Sequence, residues 1–180
     1  MRNLRRTALS LVLAVALLGA MAVPAFASNP TVSITVSAQL VSITNSKTTW
    51  EIGVVAVNGT AYFSANNAKD NTWSRITNTG NVDVTVKISG GNFVAGNVSY
   101  NWVLAGTAGD QAYSLYANSD EGETYDVEVD TAGTNTLKAG LTKGSHHDWS
   151  MLFTAPTAFH VDDDGLDKSA SVTLVTSKSL

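Results

Sequence analysis

The stretch HVDDDGLD, residues 160–167, holds the residue types best suited to metal chemistry. His160, Asp162 and Asp164 occupy alternate positions ahead of a glycine, as in the first half of a D-x-D-x-D-G calcium loop. Oxygen ligands gathered on a tight turn suit Ca²⁺. However, the first ligand position is a histidine, and the twelfth, where such a loop carries glutamate, is Ser171. Calcium is therefore the one candidate cofactor, and a solvated acidic turn is the alternative.

Other candidates for chemistry are sparse. His146, His147 and Asp148 could bind zinc or copper through their imidazoles, but no second ligand cluster accompanies them, which favours a solvent-exposed loop. Neither G-x-S-x-G nor H-E-x-x-H occurs in the chain. Glu128 and Asp130 would share one exposed strand face, whereas a glycosidase needs two carboxylates that flank a cleft. We therefore expect no enzymatic activity.

The aromatic residues could bind sugars. Flat aromatic side chains can pack against the apolar faces of sugar rings. Trp50, Trp102 and Trp149 lie in phase with apolar residues that should point inward, so core packing is the first interpretation for them. Trp73 follows the polar loop 65–72 and is the one expected to be exposed. It is therefore the carbohydrate-stacking candidate.

Residues 1–27 have the features of a signal peptide. Three arginines within the first six residues precede an apolar run from Ala8 to Val23, and the motif A-F-A ends at Ala27. We expect export by the general secretory route, cleavage after Ala27, and a secreted or cell-surface location. An uncleaved membrane anchor is the alternative.

Charge and cysteine content limit the partners and the means of stabilisation. All fifteen acidic residues but only eight of the eleven basic ones follow Ala27, so the mature chain carries a net charge near −7. This acidity disfavours nucleic acids and anionic membranes as partners. The chain has no cysteine, although disulfides would be permitted after export. Residues 28–180 should form one domain that core packing alone stabilises.

The stretch from Trp73 to Ser89 carries the clearest strand pattern. Asn78 to Asn81 reads N-T-G-N, a run of turn-forming residues, and apolar residues then recur at every second position. We predict a β-hairpin with one face of its second strand buried. The residues expected on that buried face are Val82, Val84, Val86 and Ile88.

Further short alternating stretches recur along the chain, separated by turns rich in Gly, Asn and Asp. About eight or nine strands and no long helix predict an all-β fold, a single antiparallel β-sandwich of immunoglobulin-like or jelly-roll-like type. In the last strand, Ala170, Val172 and Leu174 should share the inward face. The other predicted strands cover residues 31–43, 50–57, 97–105, 111–117, 124–130 and 148–156.

The first of these strands could serve in self-assembly. Its apolar residues share one phase until Leu40, after which Val41 and Ile43 fall in the opposite phase, which indicates a bulge or a strand that passes between sheets. A strand tethered at one end can pair within its own sandwich or add to the edge of a neighbouring molecule. The self-assembly candidates are Val32, Ile34, Val36, Ala38 and Leu40.

The segments TWEIGVVAVNGT and ITNTGNVDVTVKIS together resemble secreted prokaryotic immunoglobulin-like β-sandwich domains. In these domains a W-x-x-G-x-V strand precedes an N-T-G turn and a V-x-V-x-V strand. The second segment is also similar to camelysin and TasA-type fibre subunits, exported jelly-roll sandwiches that polymerise by exchanging an N-terminal strand. The resemblance spans about forty residues, Thr48 to Gly90. The resemblance implies a β-sandwich fold, and its fibre-subunit part implies polymerisation. It implies no catalytic residue.

Two functions remain open from the sequence. The first is a non-catalytic structural protein of the cell surface or extracellular matrix, with the filament subunit as one form of it. Its partners would be copies of itself or other envelope and matrix proteins. The second is an extracellular carbohydrate-binding module, assisted by calcium, whose partner would be a polysaccharide. No membrane insertion of the mature chain is expected in either case.

Overall fold

The structure is a computed structural model that describes residues 35–63, 73–95, 100–120, 124–161 and 167–179. The chain divides into two units, residues 1–37 and 38–180. In the first unit only residues 35–37 are described, and they form neither helix nor strand. The predicted signal peptide lies outside the described residues.

The second unit is an all-β sandwich, which confirms the predicted fold class. The described residues contain no α-helix, and none of their segments forms a helix that could cross a membrane. The strands are more numerous and shorter than the eight or nine expected. They are Ile43–Asn45 (β1), Thr60–Phe63 (β2), Ser74–Asn78 (β3), Val84–Gly90 (β4), Val103–Leu104 (β5), Ala112–Ala117 (β6), Val127–Glu128 (β7), Thr136–Leu141 (β8), His146–Trp149 (β9), Met151–Thr154 (β10) and Val172–Lys178 (β11).

The strands form three sheets. Their orders are β1-β3-β9, β2-β10-β6-β5 with β7 beside β6, and β11-β4-β8. Every strand pair is antiparallel except β5 with β6. Only Ser150 separates β9 from β10, so one stretch of chain contributes to two sheets.

Alternation along the strands builds the core, as the sequence predicts. Val84, Val86 and Ile88 on β4 are completely buried, and burying each such side chain stabilises the fold by about 1.5–3 kcal/mol. Trp149, Met151 and Phe153 are buried together at the junction of β9 and β10. Val82 is only half-buried, because it precedes the strand.

The predicted hairpin over Trp73 to Ser89 is wrong. Both strands exist, but β3 pairs with β1 and β9, whereas β4 pairs with β11 and β8. The connection therefore crosses from one sheet to another. The buried side chain of Asn78 holds this corner: its amide nitrogen donates to the carbonyls of Val82 and Leu141, both at 2.9 Å, and its Oδ1 accepts from the backbone N–H of Gly80 at 2.9 Å.

The first two predicted strands, residues 31–43 and 50–57, are shorter or absent among the described residues. Within 35–45 only β1 is a strand, and residues 46–59 form none. Gly53 has a φ of +77°, which interrupts the extended backbone there. Trp50 and Ile52 nevertheless pack against the core, whereas Val54 is fully exposed. The turn predicted at Asn58-Gly59 is present, with Asn58 at a φ of 56°.

Candidate functional site

A groove of about 450 Å³ opens along one side of the sandwich. One wall consists of β1 and the chain that follows it, including Ile43 and Trp50, and the other wall includes Val172 and Leu174 of β11. Core side chains such as Phe63 and Met151 form its floor. Strands of two different sheets thus flank a slot in which apolar core side chains lie beside polar residues such as Lys47, Thr49 and Lys168.

Both flanking strands are sheet edges. Within the described residues β1 pairs only with β3, and β11 pairs only with β4. All seven residues of β11 have partners in β4, so the strand is straight enough for a second strand to pair along its other edge. Its only charged residue is Lys178, at its end, although natural edge strands commonly carry charges, prolines or bulges that prevent such pairing.

The sequence predicts the inward face of the last strand but not the groove beside it. Ala170, Val172 and Leu174, predicted to point inward, all line the groove and are all half-buried. Val172 and Leu174 thus pack against the core and remain partly accessible in the groove. The sequence alone could not show this, because the order of the strands in the sheets decides which strand becomes an edge.

The segment before β1 supplies exposed apolar residues. We call residues 28–40, which contain the proposed self-assembly residues, the arm. Val36 is 86% exposed and Leu40 57% exposed, and Ala38 is also exposed. Val32 and Ile34 lie outside the described residues. The described part of the arm therefore offers apolar side chains in alternation and forms no strand of its own.

Asn81 holds the end of the arm that joins the sandwich. Its Nδ2 donates to the carbonyl of Ala38 at 2.7 Å, its Oδ1 accepts from the backbone N–H of Leu40 at 2.7 Å, and its own N–H donates to the carbonyl of Leu40 at 3.0 Å. We call these three hydrogen bonds the Asn81 clamp. They fix residues 38–40 beside the corner between β3 and β4.

The calcium candidate is only partly described. The ring of His160 stacks on Tyr100, with centroids 3.7 Å apart, whereas Asp162 and Asp164 lie outside the described residues. No group of three or more residues able to hold a metal ion occurs among those that the structure describes. The described contact of His160 is thus a ring-stacking contact.

The predicted exposed loop at His146 to Asp148 is wrong, because these residues lie in β9. Alternation along the strand points His147 into the interior, where it is fully buried, and leaves His146 exposed. The two imidazoles therefore lie on opposite faces of the sheet and do not combine into a metal site.

Asp148 instead forms an ion pair across β3 and β9. Arg75 donates through Nε and Nη2 to the two carboxylate oxygens, each at 2.6 Å. These bonds lower the pKa of Asp148 below its ordinary value of 3.8, against the smaller opposing effect of burial. A lowered carboxyl pKa contributes stability above the ordinary value, and that contribution is lost as the pH falls through the folded pKa.

Asp148→Asn should therefore destabilise the protein more at pH 7 than at pH 3. We expect a loss below about 1 kcal/mol at pH 7, because half of the Arg75 side chain is exposed and the pair is screened. Urea unfolding of both proteins at the two pH values measures this. A difference that persists unchanged at pH 3 would contradict the assigned role of the pair.

The carboxylate of Asp130 has a structural role. Asp130 Oδ1 accepts from the backbone N–H of Gly133 at 2.6 Å, and Oδ2 accepts from the Thr134 hydroxyl at 3.1 Å. Asp130 thus closes the turn before β8. Glu128 lies on β7 and is half-buried.

The tryptophans pack largely against other aromatic rings. Trp50 contacts Phe63 and Phe153, Trp149 contacts Phe63, and Trp102 stacks on Phe159 with centroids 5.0 Å apart. Trp73, the carbohydrate-stacking candidate, is half-buried. These contacts place three of the rings in the packing of the sandwich.

Searches for known relatives give no family for this chain: no protein-family model matches it, and no curated protein matches it.

Proposed function

We propose that this chain is an exported, non-catalytic structural protein of the cell surface or extracellular matrix, and that it is a filament subunit. Its arm adds as a strand to the sandwich of a second copy. The observation that carries the proposal is the groove beside the free edge of β11, in a chain whose arm exposes apolar residues in alternation. The resemblance of residues 76–89 to fibre subunits favours the same class of protein, whereas the W-x-x-G-x-V segment at residues 50–55 forms no strand here and adds no support.

The backbone of β11 supplies the first part of the binding energy. An edge strand has unpaired N–H and C=O groups along one side, and an added strand satisfies them while its own groups find partners. The seven residues of β11 offer such an edge. The arm is long enough to run along it, because residues 28–37, which precede the residues bonded to Asn81, outnumber the seven residues of β11.

The groove supplies the second part of the binding energy, through the burial of apolar side chains. In a strand laid along β11, every second side chain would point to the side on which Val172 and Leu174 line the slot. Each Val, Ile or Leu buried there would contribute about 1.5–3 kcal/mol. The other residues of the arm, Ser33, Thr35 and Ser37, would face solvent. The alternation of the arm therefore matches a site with one apolar side and one wet side.

Charge is compatible with this pairing. The arm carries no charged residue, so its insertion buries no unpaired charge, which would be costly. The groove includes Lys47 and Lys168 among its lining residues, and the ammonium group of Lys168 donates to the carbonyl of Tyr100 and lies over the ring of Trp102.

The test uses two variants with equal added charge but opposite phase. The full-length precursor is expressed for export, and the product is studied by negative-stain microscopy and size-exclusion chromatography. Ile34→Asp with Val36→Asp puts two charges on the side of the arm that would enter the groove. We expect this change to abolish filaments, because two buried aliphatic groups are lost and two charges would have to be buried.

The matched control is Ser33→Asp with Thr35→Asp, which adds the same charges to the opposite side of the same segment. This control should still form filaments. An unaltered protein that stays monomeric at high concentration would overturn the proposal, and so would equal loss of filaments in both variants, since phase would then be irrelevant.

A further inference from the structure

We infer that the Asn81 clamp prevents the arm from folding back into the groove of its own chain and so reserves that groove for a second copy. This inference rests on the proposed function. It assigns to Asn81, which lies outside the groove, the role of a positioning residue for assembly.

The clamp fixes the direction in which the chain enters β1. Ile43, the first residue of β1, pairs with Asn78, the last residue of β3. Residues 38–40 precede it and bond to Asn81, which follows β3. This end of the arm therefore continues the course of β1 past the end of β3, whereas the groove extends the other way, beside β1 and toward Trp50.

Self-insertion would require the arm to turn back. To reach its own groove, the arm would have to form a hairpin with β1, and the turn of that hairpin would fall within residues 38–42. These are the residues whose backbone groups bond to Asn81 and to its neighbours: the carbonyl of Ser42 accepts from the N–H groups of Thr79 and Gly80 at 3.0 and 3.1 Å. The hairpin and the clamp therefore exclude each other.

Gly80 shows how closely the corner approaches this segment. A Cβ at Gly80 would lie 2.2 Å from the carbonyl oxygen of Leu40 and 3.0 Å from the nitrogen of Ser42. A side chain cannot be accommodated at such distances without moving the segment. The glycine and the two asparagines of N-T-G-N thus have separate uses: Asn78 holds the corner, Gly80 permits the approach and Asn81 holds the arm.

The absence of cysteine allows a direct test by crosslinking. Val36→Cys and Leu174→Cys are introduced together, and Ile34→Cys with Leu174→Cys provides a second register. Each pair is made with Asn81 intact and with Asn81→Ala. The products of the exported full-length chain are oxidised with diamide, a thiol oxidant, and separated on non-reducing gels.

With Asn81 intact, we expect a ladder of covalent multimers, because each disulfide joins two chains. In the Asn81→Ala background, we expect internally crosslinked monomer to increase at least about tenfold relative to multimer, since the two side-chain hydrogen bonds of the clamp no longer oppose the hairpin and only the backbone bond to Leu40 remains. Adding Ala38→Asn and Gln39→Gly, which form a favoured two-residue hairpin turn, should increase the monomer further. Thermal melts confirm that each variant is folded.

Asn101→Ala, a change at an exposed asparagine, is the matched control and should leave the ladder unchanged. Internal crosslinks in the protein with intact Asn81, or an unchanged ladder in both altered backgrounds, would overturn the clamp and leave the proposed function standing. The absence of crosslinks in both registers and all backgrounds would overturn the proposed function together with it.

Discussion

Replacing Asn78 with alanine should lower the melting temperature by about 10 °C or more. The change removes the donors for the carbonyls of Val82 and Leu141 and the acceptor for the N–H of Gly80. A buried polar group left without a partner costs about 1–3 kcal/mol. For a domain of this size, each kcal/mol corresponds to about 2–4 °C. Thermal unfolding followed by circular dichroism measures the shift.

The control for this prediction is Asn101→Ala, because Asn101 is exposed and such surface changes usually stay within about 0.5 kcal/mol. The variant Asn78→Asp separates the effect of losing the two donated hydrogen bonds from the effect of losing the accepted one. It keeps the Oδ1 acceptor for Gly80 but loses both donated bonds and places a carboxylate where the side chain is 1% exposed. It should be no more stable than the alanine variant. A loss of only one or two degrees in Asn78→Ala would show that the corner does not depend on this side chain.

Asn78 also explains why the sequence correctly predicts β3 and β4 as strands but incorrectly pairs them with each other. Alternation depends on neighbours two residues apart, so the buried face of β4 follows from the sequence itself. A turn-forming run such as N-T-G-N is compatible with a hairpin and with a corner between sheets. Contacts between residues far apart in the sequence distinguish the two, such as the pairing of β4 with β11 and the bond between Asn78 and Leu141, 63 residues later.

The candidate groove, like the corner at Asn78, is only partly predictable from the sequence. The inward face of the last strand, with Val172 and Leu174, follows from alternation, and so does the apolar phase of the arm. The groove between them depends on β11 and β1 being edges, which is a property of sheet order. His147 is a comparable case: its burial results from the pairing of β9 with β3, although its local sequence is polar and suggests a loop.

A single charge on the groove side of β11 should block assembly. Leu174 lines the groove and is half-buried, so an arm laid along β11 would cover it. In Leu174→Glu, binding of the arm would bury a carboxylate without a partner and lose the apolar contact. We expect at least a hundredfold loss of assembly, which corresponds to about 2.7 kcal/mol, measured by sedimentation of filaments over a range of protein concentrations.

Val175→Glu is the matched control on the same strand. Val175 is the next residue, is 47% exposed and pairs with Lys87 on the outer face of the sheet. The two variants add the same charge one residue apart, and only the direction of the side chain differs. Filaments should therefore persist in Val175→Glu and disappear in Leu174→Glu, while both monomers stay folded. Persistence of filaments in Leu174→Glu would place the acceptor surface elsewhere, and loss in both would indicate that the outer face of the sheet is part of the contact between subunits.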